Sequence, residues 1–456
     1  MKKSYLLLVM LSAFGASVSA QAQTVNLQQA TDMAMNADPR IEEQRANVAA
    51  AQALIARVEG EGGIRASVNL YAALAPKATD GIFTNGSNTC SAGQNCTLRS
   101  DGNTLNDGVT VTSGITASII KPLYTFGKLE NYKTAAQYNK QLKSDEVALA
   151  KGQTWLTVRR AYYGYLTARD THAFLVGVRN QLAESEQPMK KKADEGKAAM
   201  RDVYALENGL GLLNRYIAES EGVEKIALDG LKTIIGVPLN DALDVADAHI
   251  TAVKMPEGSM AQYANQALVD RPEMHMAESG LSALRSYVQA RKAERYPDIY
   301  AGVVATAAFT PGRQQINNPY INDPLNQAFA TPVIGVKWDF NPGVLSANVS
   351  SAEADLRGAV AKAQLAQVGI PFQVSQAYHS VHALNRQITA LDQARVAAKR
   401  WMISSFLDFQ AGLVDGGTLG MAVAGNVSTQ VNYFKALNDF NMQVAELNVA
   451  TGDYPQ

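Results

Sequence analysis

Gly127, Gly196 and Gly236 recur at Gly343, Gly412 and Gly452, each pair separated by 216 residues. The surroundings recur too. Pro122-Leu123-Tyr124-Thr125-Phe126-Gly127 stands against Trp338-Asp339-Phe340-Asn341-Pro342-Gly343, and Glu195-Gly196-Lys197 against Ala411-Gly412-Leu413. Upstream, Asp38-Pro39 faces Arg271-Pro272 at an offset of 233, and the difference of 17 residues (233 − 216) falls where the first half carries a long polar loop. A chain that uses one order of elements twice is confined to folds with an internal two-fold repeat. The sequence predicts a first repeat over 23–239, a linker over 240–257 bounded by Pro238 and Pro256, and a second repeat over 258–456.

Each repeat opens with a heptad pattern. Leu27, Ala34, Ile41, Val48 and Ile55 are seven apart, as are Met260, Ala267, Met274, Leu281 and Val288. This predicts one opening helix per repeat, packed along another helix, with Gly62-Gly63 and Pro297 as the stops. Paired strands follow, over 66–74 and 109–120, then over 299–309 and 333–340. Their lengths are near the ~9–11 residues a tilted strand needs to cross a bilayer. One face is apolar and the other small or hydroxylated, as in outer-membrane barrels. Tyr71, Tyr124, Phe126, Tyr300, Trp338 and Phe340 lie near strand ends, where they fit interface belts. Long helical stretches come next, over 127–195 and 343–411, each turning at a glycine and returning to 236 and 451. Such a stretch reaches roughly 100 Å at 1.5 Å per residue. Val423, Val427, Phe434, Leu437, Val444 and Leu447 make a coiled-coil stripe on the last return, and Pro371 marks an expected kink or restart.

The basic start Met1-Lys2-Lys3, an apolar run over 5–14 and small residues at Ala20 and Ala22 predict a secretory signal peptide over 1–22. No cysteine lies beside the cleavage sites, so lipid attachment is not expected. Beyond this segment no apolar run approaches the ~18 residues of a membrane helix. Export permits disulfides, and Cys90 and Cys96, the two cysteines of the chain, are spaced for a small disulfide loop. Lysine plus arginine is 41 against 42 acidic residues, which lacks the basic excess of a nucleic-acid binder. No phosphate-cradling glycine loop, nucleophile elbow or zinc-protease motif appears. His379 and His382 share a helix face without a carboxylate or cysteine to complete a metal site. Neither an enzyme nor a cofactor is expected. Lys190-Lys191-Lys192 reads as a solvated face or a partner contact, and Tyr162, Tyr163 and Tyr165 as packing between helices.

Four strands cannot close a membrane barrel, since bacterial barrels start at about eight strands. Two chains would make a barrel filled by its own side chains, whereas three give about twelve strands and leave a lumen. At this point the residues resemble the TolC family of outer-membrane channel proteins. The resemblance rests on Leu27-x-x-Ala30-x-x-x-Ala34-x-Asn36-x-Asp38-Pro39-x-Ile41, on Lys121-Pro122-Leu123-Tyr124-Thr125-Phe126-Gly127-Lys128, and on Gly236-Val237-Pro238-Leu239. It covers essentially the whole mature chain.

The resemblance implies an α+β membrane protein. Three copies would form a β-barrel in the outer membrane of a Gram-negative bacterium, embedded in its lipid and continued by a long α-helical coiled-coil tunnel in the periplasm. It implies docking onto a periplasmic adaptor (membrane-fusion) protein and an inner-membrane pump or secretion ATPase. The expected function is a passive conduit for small-molecule efflux. Type I protein secretion is the sibling expectation, and a soluble periplasmic coiled-coil adaptor or scaffold is the expectation of a different class. On the same resemblance Gly196, Lys197, Gly412 and Leu413 form an adaptor-docking tip, and Asp202, Asp415 and Thr418 the tunnel entrance. The chain departs from the family pattern at that entrance. Asp202 matches the acidic position after the first turn, but its partner at the 216-residue offset is Thr418, so Asp415 is expected to substitute from within the turn.

Overall fold

The computed structural model describes residues 23–77, 83–87, 89–94, 96–98, 108–313 and 322–455; the expected signal peptide over 1–22 lies outside the described residues. The order of elements is β1 (Gln23–Val25), α1 (Leu27–Ala37), α2 (Pro39–Glu61), β2 (Arg65–Pro76), β3 (Val109–Tyr124), α3 (Lys128–Ala183), α4 (Glu186–Asp194), α5 (Met200–Ile235), β4 (Leu243–Val245), α6 (Met260–Asp270), α7 (Pro272–Ala293), β5 (Asp298–Phe309), β6 (Gln327–Lys337), α8 (Pro342–Ala411) and α9 (Gly416–Thr451). They divide into two compact units. One comprises 1–44, 146–274 and 366–456, the other 45–145 and 275–365. Among the described residues no helix is long and apolar enough to cross a membrane.

The expected single opening helices are each two helices. The breaks fall at Asp38 (φ −74°, ψ 113°) and Arg271 (φ −70°, ψ 130°), each followed by proline. Proline disfavours the α conformation in the residue before it, and the heptad spacing runs on because each break consumes a single residue. Both first helices start with a capping box. Asn26 Oδ1 accepts from Gln29 N at 2.8 Å while Gln29 Oε1 accepts from Asn26 N at 2.9 Å; Ser259 and Gln262 repeat the exchange at 3.3 and 2.8 Å.

In the first unit the helices share buried clusters. Leu175, Leu182, Val203, Leu206 and Leu213 pack with Phe409, Leu419 and Val423. Ile370, Val374 and Val381 pack with Phe440, Val444 and Leu447. The second cluster explains why α8 continues through Pro371 without the expected restart. A helical proline costs about 3 kcal/mol, whereas burying each of those large aliphatic side chains contributes about 1.5–3 kcal/mol. The first long stretch does break, at 184–185, four residues before Pro188 removes a helix donor. The expected plain linker over 240–257 is structured: β4 pairs parallel with β1, Val25 opposite Val245. Tyr162, Tyr163 and Tyr165 are buried beside this ladder with Val25, Leu243 and Val245.

The second unit holds one antiparallel sheet in the order β2-β3-β5-β6. Its last strand spans Gln327–Lys337 rather than the expected 333–340. Pro332 lies within it, opposite Val303, and is tolerated because β6 is an edge strand of the single-chain sheet. Trp338 and Phe340 lie past the strand, ring centroids 5.0 Å apart.

Candidate functional site

The register of the sheet sorts its side chains onto two unlike faces, because successive residues of a strand point to opposite sides. Across the four strands one face reads Leu70, Ile115, Ala307 and Ala328 in one row, then Val68, Ala117, Ala305 and Ala330, then Ala66, Ile119, Val303 and Pro332. Leu70, Leu74, Val111, Ile119, Ile334 and Val336 of this face are exposed in the single chain. The other face reads Asn69, Thr116, Thr306 and Phe329, then Ser67, Ser118, Val304 and Thr331. Ser67 and Ser118 share a hydrogen bond of 2.8 Å there. The expected aromatic belts need one correction. Tyr71 and Tyr300 lie on the polar face, each opposite a cross-strand glycine, Gly114 and Gly335. Any Cβ at those glycines would come within 2.4–2.5 Å of the tyrosine ring, so the rings lie flat where only glycine leaves room.

A second arrangement, in the first unit, joins the ends of the helical hairpins. Gly196 (φ 70°) and Gly412 (φ 79°) close α4 and α8 in the left-handed region. Lys197 N donates to Lys192 O at 2.8 Å and Leu413 N to Asp408 O at 2.8 Å, the six-to-one bond of a Schellman cap that satisfies orphan carbonyls. Gly236 and Gly452 close α5 and α9 in the same way, through Val237 N to Lys232 O and Asp453 N to Asn448 O. Gly343, the remaining member of the 216-residue pairing, lies inside the first turn of α8, whereas Gly127 has φ 81°.

The acidic residues play separate parts at these ends. Asp415 caps α9, accepting from Thr418 N at 2.8 Å and from the Thr418 hydroxyl at 2.9 Å. Those two donors hold its carboxyl below the usual carboxylate range. Asp202, in the first turn of α5, accepts from Gly416 N at 3.0 Å. It thus joins the start of α5 to the start of α9. Gly416 is buried there, and a Cβ in its place would stand 2.7 Å from Ala205 Cβ. The lysine run is also engaged. Lys190 reaches Glu186 and Glu207 at 3.0 and 2.9 Å. Lys192 Nζ donates to Gln410 O at 2.6 Å, tying α4 to the last turn of α8. Sequence reading missed Gly416, for which an unexplained Gly-Gly pair at a helix start was the available signal, and read Lys192 with its run as a solvated face or a partner contact rather than a tie to α8. In the loop between β2 and β3, Cys90 and Cys96 are disulfide-bonded with Cα atoms 5.7 Å apart.

Residues 263–453 match the family described as outer membrane efflux protein. No curated protein sequence matches the chain. Among solved structures, the CmeC outer membrane channel of Campylobacter jejuni is similar with a TM-score of 0.75 at 12% identity, over 99% of this chain and 93% of that one. The open state of the MtrE outer membrane channel of Neisseria gonorrhoeae gives 0.72 at 16% identity, over 94% and 89%. The outer membrane protein VceC of Vibrio cholerae gives 0.73 at 15% identity, over 93% and 96%. The chain thus has the fold of these outer-membrane channels, and its residues 263–453 match the outer membrane efflux protein family.

Proposed function

We propose that three copies of this chain form an outer-membrane channel for small-molecule efflux, the outermost part of a tripartite export system. The observation that carries the reading is the exposed apolar face of the β2-β3-β5-β6 sheet. Left in water, that face would forfeit about 25 cal/mol for each Å² of apolar surface; in lipid it is at home. Its opposite face carries the hydroxyl and amide side chains of Ser67, Asn69, Thr116, Ser118, Thr306 and Thr331 and suits a water-filled lumen. The sheet has two open edges, β2 and β6, and a membrane tolerates no open edge. Copies joined edge to edge remove them, and three such copies close a barrel of about twelve strands with a lumen. A soluble scaffold has no use for such a face. The helical hairpins then serve as a periplasmic tunnel. Gly196, Lys197, Gly412 and Leu413 present the docking surface for a periplasmic adaptor and, through it, an inner-membrane pump. Asp202, Asp415 and Thr418 line the entrance. The mature protein is expected to resist carbonate extraction from outer membranes and to give the mass of three chains in mild detergent. Release by carbonate, or a mass of one or two chains, overturns the reading.

A further inference from the structure

The apolar face of the sheet changes character at the foot of the strands, where the helices take over. There the row Lys121, Ala301 and Ile334 carries a cation. The Lys121 side chain is exposed and forms no ion pair among the described residues. The next row holds an aromatic residue out of turn. The register shifts between Pro122 and Tyr124, so Leu123 is one residue extra on β3, and Tyr124 lies opposite Ile299, which lies opposite Val336. An extra residue of this kind re-aims the side chain after it, and here it puts Tyr124 on the same face as Lys121.

Phe126 extends the arrangement. It is the one non-glycine residue with a positive φ among the described residues, at 53°. A bulky side chain persists in that region only where its surroundings hold it. The Phe126 ring lies 4.7 Å from Tyr124, centroid to centroid, and stacks on Tyr296 at 5.3 Å with the planes 19° apart. Tyr296 stands before β5, and the carbonyl of its neighbour Arg295 accepts from Trp338 Nε1, just past β6, at 3.2 Å. The feet of β3, β5 and β6 thus share one collar of rings, in which Tyr124, Tyr296 and Trp338 are 56%, 56% and 55% exposed. The carboxylates of this region are already engaged: Asp298 with Lys128, Asp339 with Lys337 and Glu294 with Arg291.

We propose that Lys121 and the Tyr124–Phe126–Tyr296 stack form a site for an anionic phospholipid of the inner leaflet, with Lys121 on the headgroup phosphate and the rings along the glycerol and first acyl carbons. The proposal rests on reading the apolar face as the lipid side. A zwitterionic headgroup brings its own cation to the phosphate, so an unpaired lysine favours the headgroup of net negative charge. Tyrosine and tryptophan rings, apolar in body and polar at one edge, suit the level where headgroups meet acyl chains. The left-handed turn at Phe126 brings a third ring against the two tyrosines at that level.

The test is native mass spectrometry of the full chain in mild detergent, titrated with palmitoyl-oleoyl phosphatidylglycerol or with the matching phosphatidylcholine. Phosphatidylglycerol is expected to bind roughly fivefold more tightly, the worth of one lysine beside anionic headgroups. Lys121→Gln is expected to remove that preference and Lys121→Arg to keep it. Lys337→Gln, on the opposite face by register, is expected to leave it unchanged. Phe126→Gly keeps the turn without the ring and is expected to weaken both lipids alike. Equal binding of the two lipids by the wild type, a preference retained in Lys121→Gln, or one lost in Lys337→Gln overturns the site. Should Lys121→Gln fail to fold, the wild type decides: its preference is expected to fall as ammonium acetate is raised, and a preference insensitive to salt overturns the site. Inorganic phosphate at matched ionic strength is expected not to displace phosphatidylglycerol; displacement makes the site one for a free anion and overturns the lipid. A chain that stays monomeric overturns the channel reading, yet Lys121 and the rings belong to one chain, so the same titration still decides the lipid site.

Discussion

Gly412 and Gly416 are four residues apart and glycine for different reasons. Gly412 needs a positive φ, and a Cβ there meets nothing within 4 Å. Gly416 needs the absence of a side chain, because a Cβ would meet Ala205 and the Asp202 backbone. Gly412→Glu therefore costs about 1–2 kcal/mol of backbone strain and sends its carboxylate into solvent. Normal trimer levels are expected with lost adaptor cross-linking and lost efflux; full transport in this variant removes Gly412 from the docking surface. Gly416→Val pushes the start of α9 from α5 and breaks its hydrogen bond to Asp202. A hydrogen bond to a charged group contributes about 1.5–3 kcal/mol. Several buried leucines stand behind it, each contributing about as much, so the hairpins persist while their ends part. The expected result is a higher resting conductance in bilayers with unchanged trimer yield. Equal conductance would show that the α5–α9 contact does not hold the entrance.

At the scale of elements, the break between α1 and α2 is an acid-sensitive joint. Asp38 accepts from Arg40 Nη2 at 2.6 Å, from Arg40 N at 2.9 Å and from the Thr154 hydroxyl of α3 at 2.5 Å. The Arg40 guanidinium above all, with the Thr154 hydroxyl, lowers its carboxyl to about 2. A carboxyl depressed in the folded state stabilises fully above its ordinary value and loses that contribution as pH falls through the folded one. The window runs from about 3.8 down to about 2. In Asp38→Asn, the acid-induced loss of helical circular dichroism across that window is expected to be shallower than in the wild type, with no change in pH dependence above pH 5. Overlaid profiles would mean that Asp38 does not hold these partners in solution. The joint itself was written in the sequence as Asp-Pro, yet the heptad pattern passes over it. Ile41 and Ile55 stay buried on the far side because a one-residue break leaves the apolar seam aligned.

At the scale of the whole molecule, the disulfide and the sheet do separate work. Cys90 and Cys96 close a ring of few residues between β2 and β3, near the bridge of Phe83 with Leu98. A short ring of this kind restrains the unfolded chain by about 2 kcal/mol, and it acts on the loop alone. Cys90→Ser with Cys96→Ser is expected to leave the detergent mass and the efflux phenotype unchanged. Loss of assembly would place the loop within a subunit interface. The sheet, by contrast, leaves an apolar face and two edge strands bare in the single chain, which the proposed trimer in lipid would cover.

The sequence by itself determined the strand pairs, the two-faced sheet and the four glycine-capped helix ends. Period-two alternation and positive φ are properties of a residue and its immediate neighbours, and they survive whatever the rest of the chain does. It misplaced β6 because Pro332 reads as a stop, although an edge strand accepts it, and it read the segment over 240–257 as plain linker because three residues of β4 carry no pattern. The tertiary structure alone decided the joints between distant elements: β1 with β4, Asp38 with Thr154, Lys192 with Gln410, Asp202 with Gly416 and Arg313 with Pro76. Three of these run from a side chain to a backbone carbonyl, which every residue offers, or to a backbone N–H, which every residue but proline offers. No local pattern marks which of them a distant side chain will reach, because that depends on packing that brings the two within 3 Å of each other.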